Sequence, residues 1–215
     1  MKIQRSARAH FAIAFWIGAS ALLGCGSSAE RARAEATGEN VGCTSDAVAD
    51  AGGQRRLALV VGVGQYKAEK VPDLAGPPND ARRIYELLTG ESGFAFPRQN
   101  VCLLLNEQAT TAAFRKAFDE ALVARARPQD LAVIFYAGHG SQAKDRSGDE
   151  PDGWDETLML HDARVEGQRD LVDDEFHGML QRLHAQTSNI VVILDSCNSG
   201  TATRDGSGEI GRAHV

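Results

Sequence analysis

The chain has 215 residues, 43% of them apolar and 24% charged, which suits one domain with a packed core and leaves little room for a second. Its 29 acidic against 23 basic side chains give a net charge of −6 and argue against nucleic acid as a partner. Four scattered cysteines are too few for a disulfide framework, and no CxxC pair points to zinc.

The N-terminus reads as an export signal. Lys2, Arg5 and Arg8 precede an apolar stretch over residues 11–23, too short to span a bilayer but the length of a signal-peptide hydrophobic region. It ends in Leu22-Leu23-Gly24-Cys25, which resembles a bacterial lipobox. In that reading residues 1–24 are a lipoprotein signal peptide and Cys25 carries the lipid. The protein is then held at the cell envelope, on the periplasmic or outer-membrane side. The alternative is an ordinary secretory signal with Cys25 incidental. Residues 25–56 have no apolar period and read as a flexible tether. Cys43 lies there with no obvious partner, as a free thiol or an intermolecular bridge.

From residue 57 the pattern changes. Residues 57–63 form a continuous apolar run, the mark of a strand buried on both faces. Pro77, Pro78 and Asn79-Asp80 open a helix carrying Ile84, Leu87 and Leu88. A second strand follows at 101–105, then a helix capped by Thr110-Thr111 with Phe114, Phe118 and Leu122 at helical spacing. A third strand occupies 131–136. After an irregular acidic segment, a helix is expected over 171–184 and a fourth strand over 190–194. Apolar strands alternating with amphipathic helices imply βαβ units, an α/β fold with a mainly parallel sheet. Ligands of such sheets bind at the carboxyl ends of the strands. Two segments meet there: Ala137-Gly138-His139-Gly140 and Asp195-Ser196-Cys197. The folded part is taken as residues 57–208. Residues 209–215 resemble a translated sequencing-adapter oligonucleotide and read as a non-native tail, so the sheet is expected to lack its last strands and this chain to be poorly active.

A thiol near neutral pH is a weak nucleophile until a base or charge partner activates it. Cys197 follows one buried strand directly, and His139 follows another between two glycines, which were expected to let the backbone turn sharply. Taken singly, a buried cysteine is usually a small apolar side chain and a lone histidine is usually structural. Together, at the ends of two parallel strands, they point to a nucleophile and its acid/base partner.

The segments Phe135-Tyr136-Ala137-Gly138-His139-Gly140-Ser141-Gln142 and Leu194-Asp195-Ser196-Cys197-Asn198-Ser199-Gly200 resemble the histidine and cysteine motifs of metacaspases and the bacterial orthocaspases. Asn79-Asp80-Ala81 and the acidic segments around Asp155 and Asp173 agree. The separation of His139 from Cys197 is also near the roughly fifty residues of caspases. The resemblance implies a caspase-like α/β/α sandwich and a cysteine endopeptidase cutting after Arg or Lys. Cys197 would attack the scissile carbonyl and His139 would protonate the leaving amine. Backbone N–H groups of Gly140 and Cys197 would hold the oxyanion. Asp80 and Asp195 would line a pocket for the basic P1 side chain, although Asp80 also suits a helix N-cap. Calcium, the one cofactor implied, would act as an activator at Asp155, Asp173 and Asp174; the bland reading of these residues is a solvated acidic surface. A fourth family ligand would fall at Arg204, beside Asp205, which weakens the set. Asn198 stands where relatives usually have His, and Gly76-Pro77-Pro78 replaces a cysteine-containing stretch. The expected partners are polypeptides with a basic P1 and a membrane reached through Cys25. The competing readings are a non-catalytic caspase-like binding module at the cell envelope and a peptidase of the same clan with another P1 preference.

Overall fold

The computed structural model describes residue 43 and residues 47–49, 52–148 and 150–196. Four parallel strands form its centre: β1 (Arg56–Gly62), β2 (Val101–Leu105), β3 (Leu131–Ala137) and β7 (Asn189–Asp195), in the order β2-β1-β3-β7. All four expected strands are present within a residue of their ends. Successive side chains of a strand point to opposite faces, and here both faces are covered. Leu57, Leu59 and Val61 of β1 join one apolar cluster, while Ala58 and Val60 join a second on the other face.

Helix α1 (Pro77–Thr89) covers the second cluster with Ala81, Tyr85 and Leu88. Leu87, expected on the buried face, is instead exposed, because Tyr85 and Leu88 already fill the sheet-facing stripe. The opposite face carries α2 (Thr111–Ala117), whose Thr110 side chain accepts from the Ala113 N–H as expected. Past Ala117 the same helix winds wider through Phe118–Val123, with the Ala124 N–H reaching the Asp119 carbonyl. Phe114 and Phe118 pack there with Phe176 of α3 (Asp173–His184) at centroid separations of 6.3 Å. The result is the expected α/β/α sandwich.

Two expectations fail in the acidic stretch. A small antiparallel sheet, β4 (Gly140–Lys144), β5 (Trp154–Leu158) and β6 (Leu171–Val172), occupies part of what was read as irregular. Asp155 and Glu156 therefore lie on a strand rather than a loop, and α3 begins at Asp173 rather than 171. Leu171 and Val172 pair with Leu158 and Thr157. Strands this short leave no alternation to read.

Cys43 is corrected as well: it forms a disulfide with Cys102 of β2 across a separation of 59 residues. Asn100 donates to the Val48 carbonyl at 2.7 Å and accepts the Val48 N–H at 2.8 Å, and Arg125 donates to the Cys43 carbonyl at 3.2 Å. The described part of the expected tether is thus docked against the domain. No local pattern announced the bridge, because only the fold brings the two sulfurs together.

At the amino-terminal pole Asp130 acts as a buried hub. Its carboxylate accepts from the Arg55 N–H at 2.9 Å, from Arg55 Nε at 2.8 Å and from the Arg127 N–H at 2.8 Å. Its carbonyl accepts from Thr187 Oγ1 at 2.6 Å, so one residue ties together the starts of β1, β3 and β7. Among the described residues no helix is long and apolar enough to cross a membrane.

Closing a loop of this length restricts the unfolded chain by an amount worth about 4 kcal/mol. Thermal unfolding with and without reductant is the check: reduction, or the Cys43→Ser/Cys102→Ser pair, should lower the midpoint by several degrees. The double variant should also lose the response to reductant.

Candidate active site

The chain passes from β1 to β2 on one side and returns to β3 on the other. The crevice at such a topological switch point lies beyond the carboxyl ends of β1 and β3. Pairing aligns Gly62 with Ala137 and Ala137 with Asp195, so three strands end at one level. The Gly138 N–H extends this ladder to the Asp195 carbonyl at 3.2 Å.

Gly62 lets the start of α1 lie on the end of β1, since a Cβ there would stand 2.6 Å from Ala81 Cβ and from the Pro77 carbonyl. That approach places Asp80, in the first turn of α1, at the carboxyl end of the sheet. Asp80 does not cap the helix. Gly76 is the cap residue, and the Asp80 carboxylate pairs with Arg83 Nη1 at 3.2 Å, largely exposed. Asp195 is the last residue of β7 and is also exposed.

His139 stands between β3 and β4 with its peptide held at both ends. Its N–H donates to the Tyr66 hydroxyl at 2.8 Å. Its carbonyl accepts from the Met159 N–H at 3.0 Å and lies 2.9 Å from the Tyr136 hydroxyl. Tyr136 has one proton for this carbonyl and that of Met159, 2.7 Å away. Burial pushes the fully enclosed Tyr136 phenol well above its usual range and raises that of Tyr66, so both stay neutral. The imidazole Nε2 lies 2.9 Å from the Pro72 carbonyl. A carbonyl only accepts, so Nε2 carries the proton and Nδ1 is left for chemistry. The glycine at 138 serves space rather than a sharp turn. Its φ is not positive, and a Cβ would meet the Tyr136 hydroxyl at 2.6 Å and the Tyr66 hydroxyl at 3.1 Å. Gly140 opens β4 opposite Leu158. Cys197, two positions past Asp195, lies outside the described residues, as do Asn198, Arg204, Asp205 and Cys25.

The acidic residues form a second cluster. Asp155 and Asp173 are both buried, at 4% and 5% exposure, which excludes the reading of these two as solvated surface. Carboxylate oxygens of Glu150, Glu156 and Asp173 all lie within 4.8 Å of one another. Burial, opposed by the hydrogen bond from the Asp174 N–H, and then the charges of Asp155, Asp174 and Glu156 push the Asp173 carboxyl up to about 6. An all-oxygen donor set under mutual repulsion fits a hard cation such as calcium. Glu150 and Glu156 belong to the acidic stretch of the sequence without any ligand spacing, and only the fold brings them to Asp173. No local pattern points to Tyr66 or Pro72, since a backbone carbonyl acting at a distance of 67 residues leaves no trace in a sequence.

A central parallel sheet with helices on both faces and a histidine fixed at its carboxyl end define a caspase-fold domain. Residues 56–204 match the family model described as "Metacaspase, peptidase C14 domain", and the chain belongs to that family. It is 32% identical to metacaspase-1 of Saccharomyces cerevisiae strain S288c and 35% identical to metacaspase-1A of Aspergillus terreus. These alignments cover 68% and 69% of this chain but 34% and 36% of the relatives, so the chain spans about a third of their length. A solved structure of a protein from Geobacter sulfurreducens is 29% identical with a TM-score of 0.54, covering 68% of this chain and 52% of that one.

A carboxyl raised in the folded state binds its proton more tightly there than in the unfolded chain. Its contribution to stability therefore falls as pH rises from about 4 to about 6 and is flat above that. In chelator, stability of the parent minus that of Asp173→Asn should decline over this window, measured by denaturant unfolding at several pH values. A flat difference would mean that Asp173 is not held under strain.

Proposed function

We propose that this domain is a cysteine endopeptidase cutting after Arg or Lys, with Cys197 as nucleophile and His139 as acid/base partner. One observation carries it: His139 is fixed by its N–H, its carbonyl and Nε2 two residues beyond Ala137. Cys197 is two residues beyond Asp195, and those two positions are paired on adjacent strands. Nδ1 would take the thiol proton and return it to the leaving amine, while the proton on Nε2 stays there, hydrogen-bonded to the Pro72 carbonyl. The Sγ–C bond forms as the C–N bond breaks, and water then releases the acyl group. Gly140 and Cys197 would supply N–H groups to the oxyanion. Asp80 and Asp195 would receive the basic P1 side chain; the exposed pairing of Asp80 with Arg83 is weak enough for substrate to displace.

Calcium is the activator in this reading, held by Glu150, Glu156 and Asp173 with the negative field of Asp155 and Asp174. Coupling to catalysis has a short path. Glu156 lies on β5, and the residue after β5, Met159, holds the His139 carbonyl. Neutralising the cluster would relieve the repulsion that strains β5. The domain is further read as exported and lipid-anchored at Cys25. The Cys43–Cys102 bridge supports that reading, since such bonds persist in oxidising compartments.

A fluorogenic peptide with Arg at P1 should be hydrolysed, and Cys197→Ala should lower the rate at least about a thousandfold. Arg and Lys substrates should both outrun Asp; a preference for Asp would overturn the pocket assignment. Asp80→Asn should cost roughly tenfold to a hundredfold in kcat/KM for Arg.

Calcium should raise turnover, and Glu156→Gln should blunt the rise. Equal rates in chelator and in millimolar calcium would remove the activator role. Fatty-acid labelling that disappears in Cys25→Ala tests the anchor.

A further inference from the structure

We infer that Tyr66 is a positioning residue for the catalytic histidine, acting on it from three sides; this rests on the proposed reading of His139. Its hydroxyl accepts the His139 N–H at 2.8 Å and donates to the Val63 carbonyl at 3.1 Å, so the second residue after β3 is tied to the first residue after β1. Its ring lies against the imidazole, with centroids 5.0 Å apart at 37°. Its own backbone N–H donates to Asp73 Oδ1 at 3.1 Å, closing the loop that presents the Pro72 carbonyl to Nε2.

The rest of that loop is braced independently. The Leu74 N–H donates to the Gly64 carbonyl at 2.8 Å and the Val71 N–H to the Ala68 carbonyl at 2.9 Å. The Lys67 N–H reaches the His161 carbonyl at 2.8 Å, and His161 Nδ1 lies 2.7 Å from the Gln65 carbonyl. Removing the Tyr66 hydroxyl therefore leaves the loop and the ring in place. It releases the N–H end of the His139 peptide, while the carbonyl end stays held by the Met159 N–H and the Tyr136 hydroxyl. Tyr66 is 8% exposed and its phenol stays neutral, so it takes no proton from the reaction. Its effect is geometric.

The test compares the parent, Cys197→Ala, Tyr66→Phe and Tyr66→Leu on an Arg substrate. A second measurement follows alkylation of Cys197 by iodoacetamide against pH, read by mass spectrometry. Displacement of a catalytic group by a fraction of an ångström to an ångström costs up to about a hundredfold. Tyr66→Phe should thus lower kcat by roughly tenfold or more while KM stays within about twofold. Its alkylation profile should move to higher pH, because a loosened imidazolium stabilises the thiolate less. Tyr66→Leu, which also loses the ring, should fall further, and circular dichroism should show both variants folded. Full kcat and an unmoved alkylation profile in Tyr66→Phe would overturn the inference. A parent with no Cys197-dependent turnover would instead overturn the reading of the site. If Tyr66→Phe unfolds, Tyr66→Trp keeps a ring and an N–H donor for Val63 but no acceptor for His139, and the same kcat loss is expected there.

Discussion

The pairing of β3 between β1 and β7 is the constraint on which the site depends. β3 runs through the middle of the domain and is buried on both faces, so neither its register nor its direction can slip without exposing a stripe of apolar side chains. That register brings Gly62, Ala137 and Asp195 to one level. Everything chemical in the domain hangs on what the chain does in the few residues after each: a braced loop after β1, a histidine after β3, the cysteine motif after β7. The buried Asp130 hub ties the opposite ends of the same three strands.

The histidine is held less by its side chain than by its peptide. Two buried tyrosines, one arriving from β1's loop and one from β3 itself, put hydroxyls at its N–H and carbonyl, and Gly138 lets both approach. Neutral phenols suit this task. They are hydrogen-bonded and rigid, and the pressure of burial keeps them from ionising. The imidazole is then oriented by a backbone carbonyl, which has no proton of its own to exchange.

The small antiparallel sheet places the carboxylate cluster within reach of this arrangement. β4 begins directly after His139, and β5 carries Asp155 and Glu156 on one end and leads into Met159 on the other. Buried carboxylates at such spacing repel one another, and either a proton or a cation relieves that repulsion. One strand thus links the electrostatic state of the cluster to the backbone that holds the histidine.

Continuous apolar runs made the four parallel strands, the two-sided helix packing and the position of His139 legible in the sequence, because a strand buried on both faces has no polar position to blur its ends. The histidine and cysteine motifs are equally local, each a few residues after such a run. The antiparallel strands were not legible. They are two to five residues long with no apolar alternation, and they persist only because they pair with one another. The same holds for the Cys43–Cys102 bridge, the Glu150–Glu156–Asp173 cluster and the hold of Tyr66 and Pro72 on His139. Each joins residues far apart in the chain through a contact whose partner no local pattern names. The sequence by itself determined which strands form the sheet and that His139 stands at its carboxyl edge. Only the tertiary structure decided what holds those side chains in place, because orientation comes from backbone carbonyls, phenols and carboxylates that the fold alone makes neighbours.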